Sequence, residues 1–238
     1  MNTNRKTAII VGVLFIIGTV AGILSVVFTG SILGDPDYLI KISANENQII
    51  IGALFVLIMG LALAMVPVVM FPIFKKQNEV LALGYVVFRG ALETVIYIPT
   101  VISWLFLIIV SQEYLKAGAP AASYFQTLGT LLIGVYDQIH PIGGIVFSLG
   151  ALMFYFLFYQ SKLIPRWLSG WGLIAAILGL GAGLAGMFGL TSSLSTIDVL
   201  ALPIFLQEMV MAVWLIVKGF NSPAIAPGSA KTDINEIK

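Results

Sequence analysis

The chain has no cysteine and a single histidine, His140. Disulfides, thiolate metal sites and cysteine nucleophiles are therefore excluded, and so are histidine-rich zinc sites. Charge is nearly as scarce. Asp, Glu, Lys and Arg make up 10% of the 238 residues, against about 25% in soluble domains. No lysine falls inside an apolar block, which argues against a Schiff-base cofactor, and there is no glycine-rich phosphate loop. No cofactor and no metal is expected. The net charge is +1 and the bases gather at the ends of apolar blocks, a pattern that gives no sign of nucleic-acid binding. Nor is there an internal repeat; a three-plus-three inverted arrangement rests on helix count alone.

What the chain has instead is apolar length. Hydrophobic residues make up 59% of it, and the mean hydropathy is +1.04. They fall in blocks of roughly 20 rather than in alternating ten-residue segments, which reads as membrane-spanning helices and not as a barrel. The expected fold is all-α, a polytopic transmembrane bundle with the lipid bilayer as its first partner. The spans are placed at about 8–28, 49–72, 80–109, 141–159, 168–188 and 199–217, within a domain covering 1–220. A Pro/Gly/Ser-rich tail over 221–238 is expected to be disordered.

Several joints follow from local chemistry. Pro67 and Pro72 near the end of the second block suggest a kink or a loosened last turn. The third block is about 30 residues, roughly 45 Å as a helix, and must tilt, project or bend at Pro99. Asp137-Gln-Ile-His-Pro141 interrupts the long apolar run 121–159, and the residue before a proline disfavours helix. The run is therefore divided at His140, leaving 121–136 as an outer-surface or re-entrant helix before the fourth span. Gly18 and Gly22 offer a face for close approach, and the fifth block is studded toward its end with Gly179, Gly181, Gly183, Gly186 and Gly189, faces through which a homo-oligomer could also form.

With six spans, Arg5, Lys6, Lys75, Lys76, Lys162, Arg166, Lys218, Lys231 and Lys238 share one side, opposite Lys41 and Lys116. The positive-inside rule then places both termini in the cytoplasm.

The third block runs Leu81-Ala-Leu-Gly-Tyr-Val-Val-Phe-Arg-Gly-Ala-Leu-Glu-Thr-Val-Ile-Tyr97. Arg89 and Glu93 are four apart and can pair on one helix face, which Tyr85 and Tyr97 extend. Such a stripe cannot face lipid and must be covered. Arg89 lies nine residues from Val80, and Glu208 nine from Val199, about 14 Å along a helix in each case. Both then sit near the midplane, and Gln207 adjoins. A buried site of Arg89, Glu93, Glu208, Tyr85, Tyr97 and Gln207 follows if the two helices touch. One arginine facing two carboxylates needs a proton or a cation to complete the charge. Asp137 and His140 form a second, outer pair, either capping helix ends around Pro141 or responding to pH at a cavity mouth.

Two stretches carry a family resemblance. They are Phe71-Pro-Ile-Phe-Lys-Lys followed by Ala82-Leu-Gly-Tyr-Val-Val-Phe-Arg89 and Glu93, and then Ser161-Lys-Leu-Ile-Pro-Arg-Trp-Leu-Ser-Gly-Trp-Gly-Leu-Ile174. Over most of residues 5–220 the chain resembles the bacterial membrane proteins grouped as domain of unknown function 4386. The resemblance implies a multi-helix protein of the bacterial cell membrane and carries over no catalytic residue.

Three classes of function remain. A small-molecule or proton/cation-coupled transporter needs a cavity reaching the charged centre. A structural or regulatory membrane partner needs a sealed core. An intramembrane hydrolase needs a nucleophile beside His140, with Ser148 as the candidate; no oxyanion-type glycine motif accompanies it, and an enzyme is the least supported class.

Overall fold

The computed structural model describes residues 3–117, 122–190 and 194–221, the stretch 194–198 by its backbone alone. Residues 222–238, and so nearly all of the expected tail with Lys231 and Lys238, lie outside it.

The described chain is helical, in the order α1 (Thr3–Leu33), α2 (Tyr38–Ala44), α3 (Glu46–Phe74), α4 (Glu79–Tyr85), a π turn (Val86–Leu92), α5 (Glu93–Ala117), α6 (Ala122–Ser161), α7 (Arg166–Met187) and α8 (Leu194–Val217). α4, the π turn and α5 form one continuous rod. Six segments are long and apolar enough to cross a membrane: Thr3–Leu33, Glu46–Phe74, Glu79–Ala117, Ala122–Ser161, Arg166–Met187 and Val199–Val217. Their outward faces carry bare Val26, Leu61, Ile174 and Val213. Water would not tolerate so continuous an apolar surface, whereas hydrocarbon does. This is a multi-pass membrane protein.

Against the expected joints, the spanning helices are longer. α6 runs unbroken through Pro141, so the division at His140 is not there, and 122–136 is the first half of α6 rather than a separate surface or re-entrant helix. A proline removes one backbone bond and crowds the preceding turn, but neighbours in a bundle make this tolerable. α7 lies against that turn: a Cβ added at Gly183 would come within 3.0 Å of the Pro141 carbonyl oxygen. α3 likewise continues through Pro67 and Pro72 to Phe74. The polar connection after α1 contains the short α2, whose Leu39 and Ile42 are buried. There Lys41 pairs with Asp35, and that bond first, with the Asp37 backbone N–H second, holds the Asp35 carboxyl below its usual range. α8 begins at Leu194, five positions before the expected Val199.

At 40 residues, α6 is about 60 Å long, and α4 through α5 nearly as long. Both outrun a bilayer core of about 30 Å. Their extensions lie side by side and are capped by α2, in a core of Leu39, Ile42, Trp104, Leu107 and Ile108 with Leu132 and Ile133 packed on it. The half nearer the described termini is filled by rings. Tyr85 stacks on Phe154 at 4.7 Å between centroids, and Phe74 meets Phe158 edge-on at 5.0 Å. Gly18 and Gly22 admit α3, since a Cβ at Gly18 would lie 2.7 Å from Leu63. Between helices in lipid, van der Waals contact of this kind replaces the hydrophobic drive of soluble cores.

Both ends of the described chain lie on one face. Arg5 Nη1 donates to the Leu215 carbonyl at 3.1 Å, and Nη2 to those of Ile216 at 2.6 Å and Val217 at 3.1 Å. A cation on the last carbonyls of a helix satisfies orphan acceptors and complements the dipole. Arg5→Ala is expected to lower stability by about 1 to 2 kcal/mol, read as unfolding in mixed micelles. The same variant should let protease cut sooner around Lys218; unchanged unfolding and cleavage would show the clasp to be idle.

Candidate functional site

The site grows from the rod α4–π–α5. Asn78 starts it, accepting the Leu81 N–H at 3.0 Å with its side chain, the ordinary N-cap arrangement. Four and seven residues on, Ala82 and Tyr85 turn inward, and then the helix widens into the π turn that holds Arg89. An α-helix gains about 40° for every four residues, so positions 85, 89, 93 and 97 would wind about 120° around it. A turn closed by i→i+5 bonds takes more residues per revolution and cancels that drift. The π turn thereby keeps the polar stripe aimed at one side.

Arg89 is 3% exposed, and its Nη1 donates to both Oε1 and Oε2 of Glu93 at 2.9 Å. Its Nη2 donates to Glu208 Oε1 on α8 at 3.2 Å. Tyr97 donates its hydroxyl to Glu93 Oε1 at 2.7 Å. The guanidinium lies 4.4 Å from the centroid of the Phe147 ring on α6, a cation–π contact. α6 can come this near because residue 150 is glycine: a Cβ there would sit 3.2 Å from the Arg89 backbone nitrogen. Helices α5, α6 and α8 thus meet on one arginine.

Tyr85 belongs to this centre less directly. Its hydroxyl lies within electrostatic reach of Arg89 but outside hydrogen-bond geometry. Gln207 does not belong to it. Adjacent positions on a helix point about 100° apart, and Gln207 turns to α7, donating Nε2 to the Leu168 carbonyl at 3.0 Å. It ties helices together instead of serving the charges. Of the two carboxylates, Glu208 is the more open, at 13% side-chain exposure against 3% for Glu93. The formal sum of Arg89, Glu93 and Glu208 is −1, which a proton or a cation on the more open Glu208 would neutralise.

Beside the centre lies a cavity of about 340 Å³, walled by residues of all six spans. Tyr97 and Phe147, which cover the charges, are part of its wall, whereas Arg89, Glu93 and Glu208 are not. His140 also faces it, with Tyr136 6.0 Å away ring to ring. Asp137 and His140 are half-buried one turn apart on α6. Since α6 is unbroken, neither caps a helix end. His140 and Ser148 are two turns apart, about 12 Å along the helix, which leaves no nucleophile–base contact. Among the described residues, no group of three or more His, Cys, Asp and Glu could hold a metal ion.

Removing Arg89 strands two carboxylates in a low-dielectric core. Arg89→Ala is expected to cost about 3 to 5 kcal/mol, measured as unfolding in detergent. Adding Glu93→Gln should recover part of the loss, and adding Glu208→Gln as well should recover more. Equal loss in all three variants would mean the charges are not coupled.

In comparisons with known proteins, no curated protein and no solved structure matches the chain. A family model does match, covering residues 10–219 and with them every residue of the charged centre and of the cavity wall. The chain therefore belongs to the family described as Domain of unknown function (DUF4386).

Proposed function

We propose that the protein is a carrier that couples a small molecule in the cavity to a proton or cation held at Arg89, Glu93 and Glu208. One observation carries this reading: Tyr97 and Phe147 each touch both places. Tyr97 lines the cavity while donating to Glu93, and Phe147 lines it while covering Arg89. Occupancy of the cavity that moves either ring alters the hydrogen bonding and shielding of the charges, and linkage makes the effect reciprocal. A charged centre adjoining a small-molecule pocket within the bundle is an arrangement that coupled transport uses.

The deep burial of Arg89 and Glu93 favours a second reading, a sealed ionic joint in a structural or regulatory membrane partner. The two differ in what Glu208 does. In pyranine-loaded proteoliposomes under an imposed pH step, wild type is expected to admit protons several-fold faster than Glu208→Gln, and Glu208→Asp, which keeps a carboxyl, to restore part of the rate. Equal rates in wild type and Glu208→Gln at equal incorporation refute the carrier and leave the joint.

We place the protein in a bacterial cell membrane with both termini cytoplasmic. Arg5, Lys6, Lys75, Lys76, Lys162, Arg166 and Lys218 cluster at the helix ends on the face of Thr3 and Val217, and Lys41 and Lys116 at the opposite ends. A reporter active only in the cytoplasm, fused after Lys238, should be active. An inactive reporter on a well-inserted fusion reverses the orientation.

A further inference from the structure

Serine and threonine inside helices usually return their hydroxyl to a carbonyl one turn back. Several here do so: Thr29 donates to the Ser25 carbonyl at 2.9 Å, Thr94 to that of Gly90 at 2.7 Å and Ser111 to that of Ile108 at 2.7 Å. Three do not. Ser25 on α1, Thr100 on α5 and Ser148 on α6 are 3%, 5% and 0% exposed; their hydroxyls donate to nothing among the described residues, and the Ser148 Oγ is itself wholly buried without a partner. All three line the cavity. A buried hydroxyl without a partner, such as that of Ser148, is costly, and two more unpaired hydroxyls on the same space call for something there that accepts or donates.

The rest of the wall states what that something is. Among the described residues no Asp, Glu, Lys or Arg lines the cavity, so these walls offer a charged ligand no carboxylate or basic side chain as counter-charge. Trp104, Tyr136 and Phe147 give it flat aromatic surface, and about 340 Å³ falls within the range of small-molecule pockets. We propose that the cavity is a binding site for a neutral, largely apolar molecule of ring character, whose hydroxyl or carbonyl oxygens are held by Ser25, Thr100 and Ser148. Gly179 belongs to the same design: a Cβ there would lie 2.9 Å from Ser148 Oγ, so the glycine leaves that hydroxyl room to turn toward a ligand.

This assigns a substrate class to the carrier described above and, for its transport sense, rests on that reading. Binding itself is measured without any gradient. The probes are tritiated 2-naphthol and its near-isostere 2-methylnaphthalene, which lacks the hydroxyl, with the full chain in nanodiscs and protein-free discs as background. Saturable binding of 2-naphthol to wild type is expected, weaker by about three- to tenfold in Ser148→Ala and further in the triple variant Ser25→Ala, Thr100→Val, Ser148→Ala. The methyl analogue should bind all of these alike, and Ala201→Trp, which fills the space, should bind neither. Each variant is first shown to be monodisperse. No saturable binding of either probe overturns the site and makes the cavity a hydrated void. Equal affinity of 2-naphthol for wild type and the triple variant, or no preference over the methyl analogue, overturns recognition by hydroxyls and leaves an apolar space such as a lipid chain fills. Binding that survives in Glu208→Gln while proton flux is lost supports site and coupling alike; binding with no flux in wild type keeps the site and refutes the carrier.

Discussion

A single guanidinium in hydrocarbon governs how this bundle is put together. Arg89 cannot reach water from mid-helix, so its donors must be met by the protein, and they are met by Glu93 on its own rod and Glu208 on α8, with the Phe147 ring of α6 over its face. The rest of the packing makes that meeting attainable. Glycine at 150 lets α6 come near enough, and the ring cluster of Phe74, Tyr85, Phe154 and Phe158 closes the space toward the chain ends. Buried ion pairs often add little net stability, yet breaking one is expensive, so they select arrangements more than they strengthen them. Any packing that separated α8 from α5 would leave Arg89 and Glu208 unpaired.

The division of the interior follows from the same constraint. The charges occupy a layer between two apolar cores, the aromatic one near the chain ends and the aliphatic one under α2. The cavity opens beside this layer, on the side of α2 and the long ends of α5 and α6, and is separated from the charges by one tyrosine and one phenylalanine. That thin partition distinguishes a charge layer adjoining a pocket from one buried in solid packing.

The parts of this arrangement that depend on period and length were legible in the residues. Apolar blocks of span length located six helices, the spacing of Arg89 and Glu93 implied their pairing, and counting from Val199 put Glu208 level with Arg89, which it meets. What depends on angle or on neighbours was not. Gln207 has the right depth but points elsewhere, because depth along a helix does not fix direction around it. Pro141 looked like a boundary by local rules, and only contact with α7 shows why the helix passes through it. The π turn did leave a trace: polar residues at 85, 89, 93 and 97 repeat every fourth position, a period that a regular α-helix cannot keep on one side for three steps. The cavity left none, since three ordinary hydroxyls on three distant helices are unrelated until folded.

The clasp between Arg5 and the end of α8 joins groups 210 positions apart, nearly the whole length of the chain. During synthesis α1 enters the bilayer first and α8 last. Until α8 arrives, the side of α1 at Gly12, where Ala212 will later lie 2.6 Å from a would-be Cβ, can face only lipid. Glu93 meanwhile holds Arg89 alone, without its second carboxylate. The bundle is thus an open assembly through most of its making, and a chain cut short before Glu208 would lack both the clasp and one third of its charge layer.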